Sequence, residues 1–102
     1  MKHRKPLTEL QAENRRGAIL YFLADDAQYT MSTHLLLSAL RSVGYARYLN
    51  EVNDDAVWMK KQGLVTLEET EDMTLLTLTR KGLDVAQGTL WEPGVKRPRL
   101  EI

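Results

Sequence analysis

The chain has 102 residues, with 14 basic and 14 acidic side chains, two histidines and no cysteine, so its formal net charge is zero. That length suits one domain with a modest core, and the missing cysteines exclude disulfides, thiolate nucleophiles and Cys-ligated metals. A composition of 43% hydrophobic and 27% charged residues is that of a soluble globular protein. The densest apolar run, AILYFLA, is too short to cross a bilayer and ends at Asp25 and Asp26. No apolar signal segment follows the basic start MKHRKP, so a cytoplasmic protein with no membrane partner is expected.

A first helix is expected from about Leu7 or Thr8 to Ala24. Thr8 is its candidate N-cap and Gln11 the reciprocal partner of a capping box. Ile19, Leu20 and Leu23 mark its buried face, while Gly17 signals a close approach by a neighbouring helix. Tyr29 to Met31 reads as a short strand. Ser32 then caps a second helix whose apolar stripe is Leu35, Leu36, Ala39, Leu40 and Val43, ended by Gly44. A third helix is expected over about 47–62. Leu49, Val52, Ala56 and Met59 lie on one side, and Arg47, Asn50, Glu51, Asp54, Trp58 and Lys61 on the other. Gly63 stops it.

Beyond Gly63 the apolar period becomes two. Val65 and Leu67, then Leu76 and Leu78, define two strands joined through Glu69 to Asp72 without the glycine or asparagine of the tightest hairpins. Thr79 caps a short helix, RKGLDVAQ, that ends at Gly88. The rest, with two prolines and a glycine, reads as extended. The expected organisation is a domain over 1–88 and a C-terminal tail over 89–102. The fold class is α+β, mainly α: a winged helix-turn-helix of three helices, a two-stranded wing, a short C-terminal helix and an extended tail.

Such a fold reads duplex DNA by placing its second motif helix in the major groove, which admits a helix and displays an unambiguous base pattern. WMKKQGLV followed by LTLTRKGLDVA resembles the end of the recognition helix, the wing and the next helix of winged-helix regulators. Over most of the chain, DDAVWMKKQGLVTLEE, LTRKGLDVAQG and PGVKRPR resemble the small winged-helix proteins of Mu-like phages and prophages, often labelled ArsR-like transcriptional regulators. The resemblance implies a regulator that binds double-stranded DNA. Its metal-sensing arm is not implied, since neither cysteines nor a histidine–carboxylate cluster is present.

On the third helix the candidate DNA-binding residues are Arg47 for phosphate or guanine, Asn50 and Asn53 for adenine, and Lys61 for backbone. Glu51, Asp54 and Asp55 on or beside the same surface oppose this, and a structural helix facing solvent or protein is the bland alternative. Charge favours the ends of the chain. Residues 1–16 hold five basic groups against two acids, 17–72 four against nine, and 73–102 five against three. Lys2, Arg4, Lys5, Arg15, Arg16, Lys96, Arg97 and Arg99 are therefore candidate phosphate contacts, although charged termini are more often simply solvated. The strand connection EETED carries four acids around Thr70, which a duplex would repel. Glu69, Glu71 and Asp72 are accordingly expected to point off DNA or to dock a basic protein surface. Trp58 is expected under the wing or at a dimer contact rather than on a base. Apolar residues near both ends (Leu7, Leu10, Leu90 and Trp91) predict a homodimer.

His3 and His34 are isolated, and no phosphate loop or metal spacing appears, so no enzyme, metal or cofactor is expected. Two functions stand: a phage or prophage transcriptional regulator binding duplex DNA as a dimer, or a winged-helix protein-interaction module, in phage assembly or host-factor binding, without direct DNA binding.

Overall fold

The computed structural model describes residues 4–98. Helix α1 (Leu7–Asp25) leads to strand β1 (Thr30–Ser32), helices α2 (Thr33–Ser42) and α3 (Leu49–Lys61), strands β2 (Val65–Glu69) and β3 (Thr74–Leu78), and helix α4 (Arg80–Ala86). It is a mainly helical α+β fold with a three-stranded antiparallel sheet in the order β1-β3-β2. None of the described helices is long and apolar enough to cross a membrane.

The element expected at Tyr29 to Met31 is an edge of this sheet rather than a free extension. Thr30 pairs with Thr77, Met31 with Leu76 and Ser32 with Leu75. The Thr30 and Thr77 hydroxyls also meet across the strands at 2.8 Å. What delivers the chain to this edge is Asp26. Its carboxylate accepts from the backbone N–H of Gln28 at 2.9 Å and of Thr30 at 3.1 Å, which bends the loop after α1. Tyr29 takes up the left-handed backbone, φ 57°, that this turn demands.

Helix ends follow local chemistry with one exception. Ser32 caps α2 by accepting from the N–H of Leu35, and Thr79 caps α4 through that of Gly82. After α3, the N–H of Leu64 bonds the Met59 carbonyl and that of Gly63 bonds the Lys60 carbonyl. This closure requires the φ of +76° that Gly63 supplies. Gly44 ends α2 the same way, with Tyr45 N–H on Leu40 O. The exception is α1. Its N-cap is Pro6, whose carbonyl accepts from Glu9 and Leu10, and Thr8 makes no capping bond. The helix starts two positions too early for Thr8 to cap it, so Thr8 already lies within the helix.

The core joins Ile19, Leu20 and Leu23 of α1 to Leu36 and Leu40 of α2, Val52, Ala56 and Met59 of α3, and Leu64, Val65, Leu76 and Leu78 of the sheet. In α2 the buried row is Thr33, Leu36, Leu37 and Leu40, spaced i, i+3, i+4, i+7; Leu35 and Val43 face outward. The row is rotated by about one residue from that expected, which brings Thr33 and Leu37 inward and turns Leu35 and Val43 out.

The tail does not project. Val95 is 5% exposed and belongs to the core, and the N–H of Lys96 bonds the Glu13 carbonyl at 3.2 Å. Glu92 pairs with Lys81 at 2.9 Å. Residues 89–98 thus pack against the same core as the helices through Val95. Gly17 serves this segment and not a second helix, since a Cβ there would stand 3.2 Å from the Lys96 carbonyl.

Candidate nucleic-acid interface

The outward face of α3 is built by its spacing. Val52, Asp55, Ala56 and Met59 are buried, which turns Asn50, Asn53, Asp54, Val57, Lys60 and Lys61 to solvent in one row along the helix. Arg47 lies exposed just ahead of it. The Arg41 guanidinium, at the end of α2, donates to the Arg47 carbonyl at 2.6 and 3.1 Å, fixing the turn between the helices. Four predicted residues, Arg47, Asn50, Asn53 and Lys61, are therefore brought to one surface. Lys60 and Val57 join them, though the sequence reading had not placed them there.

Two of the three acids expected to oppose them lie elsewhere. Glu51 folds back over the start of its own helix, where Oε1 accepts from the backbone N–H of Arg47 at 2.8 Å and of Tyr48 at 2.9 Å. These two bonds, first that from Arg47, hold its carboxyl below the ordinary value of 4.5. Asp55 is 1% exposed and sits between Arg15 and Arg16 of α1. Arg15 Nε donates to its Oδ2, and Arg16 Nε to Oδ1 at 3.1 Å. Burial pushes the Asp55 carboxyl up, and the two guanidiniums pull it back only partly. Only Asp54 remains as an acid in the exposed row.

This cluster also corrects the expectation that Arg15 and Arg16 are free for phosphate. Arg15 is 9% exposed and reaches Glu51 Oε2 at 3.6 Å. Arg16 donates to the Gly94 carbonyl at 3.0 Å and lies over the Trp58 ring at 4.0 Å. Trp58 is accordingly half-buried, with Arg16 over its ring and Gly94 against its edge. A Cβ on Gly94 would come within 2.6 Å of its ring. Both charges were detectable by register: Asp55 shares the buried row of Val52, Ala56 and Met59, and Arg15 that of Ala12 and Ile19.

The remaining basic candidates are dispersed. Arg4 is exposed, and Lys5 pairs with Glu13 at 2.6 Å. Lys96 is exposed, while the Arg97 guanidinium lies over the Trp91 ring at 4.4 Å. Lys2 and Arg99 fall outside the described residues.

The β2–β3 connection dispenses with glycine because Thr70 closes it. Its N–H donates to Met73 O at 2.8 Å, and its hydroxyl accepts from Met73 N at 3.2 Å. Glu69, Glu71 and Asp72 are exposed and enter no ion pair among the described residues.

Glu51 gives the fold an acid-sensitive joint. Its depressed pKa means that its stabilisation is fully present above the unfolded value of 4.5 and is lost as pH falls through the lower folded value. Asp55 acts in the opposite sense, because its raised pKa lets the folded chain take up a proton before the unfolded one. The difference between the parent and Glu51→Gln isolates the first effect. The variant is expected to be about 1 kcal/mol less stable at neutral pH. The gap should close as pH falls below the carboxylate range, as urea unfolding across a pH series will read. A gap that does not change with pH would remove Glu51 as the charged cap.

Over 93 aligned residues the chain is 33% identical to "Uncharacterized protein gp26" of Escherichia phage Mu, a match that spans 91% of this chain and 96% of that protein. No protein-family model matches the chain.

Proposed function

The chain belongs to the family of the Escherichia phage Mu protein gp26, and on that premise we propose that it is a winged-helix protein that binds double-stranded DNA as a transcriptional regulator. On this reading α2 and α3 form the helix-turn-helix, α3 enters the major groove, and β2 with β3 is the wing. The ArsR-like regulators that the sequence resembles are the model for this assignment. One observation carries it: the outward row of α3 presents Asn50, Asn53, Lys60 and Lys61, with Arg47 beside them, against the single acid Asp54. Asparagines suit adenine edges, and the lysines suit the flanking phosphates. Arg4, Lys5 and Lys96 add basic groups away from the helix. A dimer is part of the proposal. Leu7, Leu10, Leu90 and Trp91 are exposed apolar residues that a second copy would cover.

Fluorescence anisotropy of labelled mixed duplexes, repeated across salt concentrations, tests the reading. Binding at about micromolar strength or tighter, falling steeply with salt, is the expected result. Removing Lys60 and Lys61 should lower the salt slope by about one unit for each lysine, while Asn53→Ala should relax sequence preference and leave the slope alone. Absence of binding at low salt would sink it.

The second reading rests on the hairpin tip. Glu69, Glu71 and Asp72 are exposed and unpaired among the described residues, a surface suited to a basic protein partner in phage assembly or on a host factor. Changing these three to Lys separates the roles. If the tip stands off the duplex or merely repels it, DNA binding holds or strengthens; weaker binding would make the acids part of the DNA site.

A further inference from the structure

A groove of about 560 Å³ runs between α1, α4 and the C-terminal segment, and we propose that it binds a small, flat, apolar anion of the aryl carboxylate or aryl sulfonate kind. Its volume lies in the range of about 300–1,000 Å³ typical of small-molecule sites. Ala18, Leu20, Val85 and Ala86 line its apolar part, and Tyr21 and Tyr45 supply aromatic faces. Tyr21 is 65% exposed, so its ring is open to a flat partner.

The charge on the lining selects an anion. Lys96 and Arg97 border the groove, and none of its lining residues among those described is acidic. Lys96 enters no ion pair among the described residues, so its ammonium is available to a ligand. The wall that carries it is fixed: the Lys96 N–H bonds the Glu13 carbonyl, and Gly17 leaves room for the segment to lie against α1. The neighbouring polar cleft, of about 460 Å³, differs in kind. There Arg15 and Glu51 already face each other, and Arg47 is the remaining charged side chain on its described lining. The proposal does not depend on DNA binding.

Anilinonaphthalene sulfonate combines fused rings with one anionic group, and phenylnaphthylamine is its neutral counterpart. Titrated into the folded protein at neutral pH, the sulfonate is expected to give saturable fluorescence enhancement with one site per chain. The neutral probe should bind at least about tenfold more weakly. Lys96→Glu should weaken the sulfonate by about tenfold, and Tyr21→Ala by a similar factor, whereas Arg80→Glu, an equal charge change on the exposed start of α4, should not. All three positions are exposed, so thermal unfolding should show each variant folded. Non-saturable enhancement, equal binding of the two probes, or equal effects of Lys96→Glu and Arg80→Glu would each overturn the proposal.

Discussion

Asp55→Ala is expected to cost about 3–5 kcal/mol of folding stability, the largest loss from any single polar side chain in this fold. The change leaves Arg15, 9% exposed, with its guanidinium between helices and only the 3.6 Å contact to Glu51 to compensate it. Arg16 loses its carboxylate too, but keeps the Gly94 carbonyl and the Trp58 ring. An unpaired buried charge is far more expensive than an absent pair. The double variant Arg15→Met, Asp55→Leu should therefore recover most of the loss, because similar volumes of apolar side chain refill the seam between α1 and α3. For a domain of this size each kcal/mol moves the melting temperature by about 4–8 °C, so the single variant should melt at least about 12 °C lower. A drop of only a few degrees, or a double variant no better than the single, would show that the cluster is solvated and does not hold α1 against α3.

Gly82→Ala is expected to destabilise by about 3 kcal/mol, although alanine is the better helix former by about 1 kcal/mol. The sign is set by space. A Cβ at Gly82 would stand 2.0 Å from the Leu64 carbonyl oxygen and 2.8 Å from Leu78 Cδ2. That oxygen cannot simply retreat, since it accepts from the N–H of Thr79 at 3.1 Å. Nor can α4 easily swing away. Thr79 holds its start, with its hydroxyl donating to Gly63 O at 2.6 Å and accepting from Gly82 N at 3.0 Å. The midpoint of urea unfolding reads the effect, and a midpoint equal to the parent's would show that the contact between α4 and the start of β2 is loose.

Helix and strand positions were legible in the sequence wherever one physical signal sufficed. Ser32 and Thr79 announce helix starts because their side chains accept from the next turn, and Gly44 and Gly63 announce stops because few other residues tolerate the backbone required. The alternation of Val65, Leu67, Leu76 and Leu78 marks two strands with one buried face. Thr8 misled because a good capping residue lay two positions past the actual N-cap, Pro6. Asn50, Asn53 and Lys61 were also legible, since helical spacing alone puts them outside, whereas Arg47, expected as the first helical residue, precedes α3 and its N-cap Tyr48.

What the sequence by itself determined is the order of the elements, the central apolar row of each helix and the outward candidates on α3, all set within a turn or two of chain. Only the tertiary structure decided which charges belong to solvent. Helical register puts Asp55 and Arg15 on buried rows without showing their partners, and they become an internal cluster with Arg16 because α1 and α3 cross where all three meet. The docked tail was equally hidden: beside the single core residue Val95 and the Glu92–Lys81 pair, it is held through the backbone of Gly94 and Lys96, which carries no sequence signal. The acids of α3 therefore lost most of their force as evidence against DNA: Glu51 is drawn into a local helix-end cap, and Asp55 is buried by Arg15 and Arg16, some forty residues away in the chain.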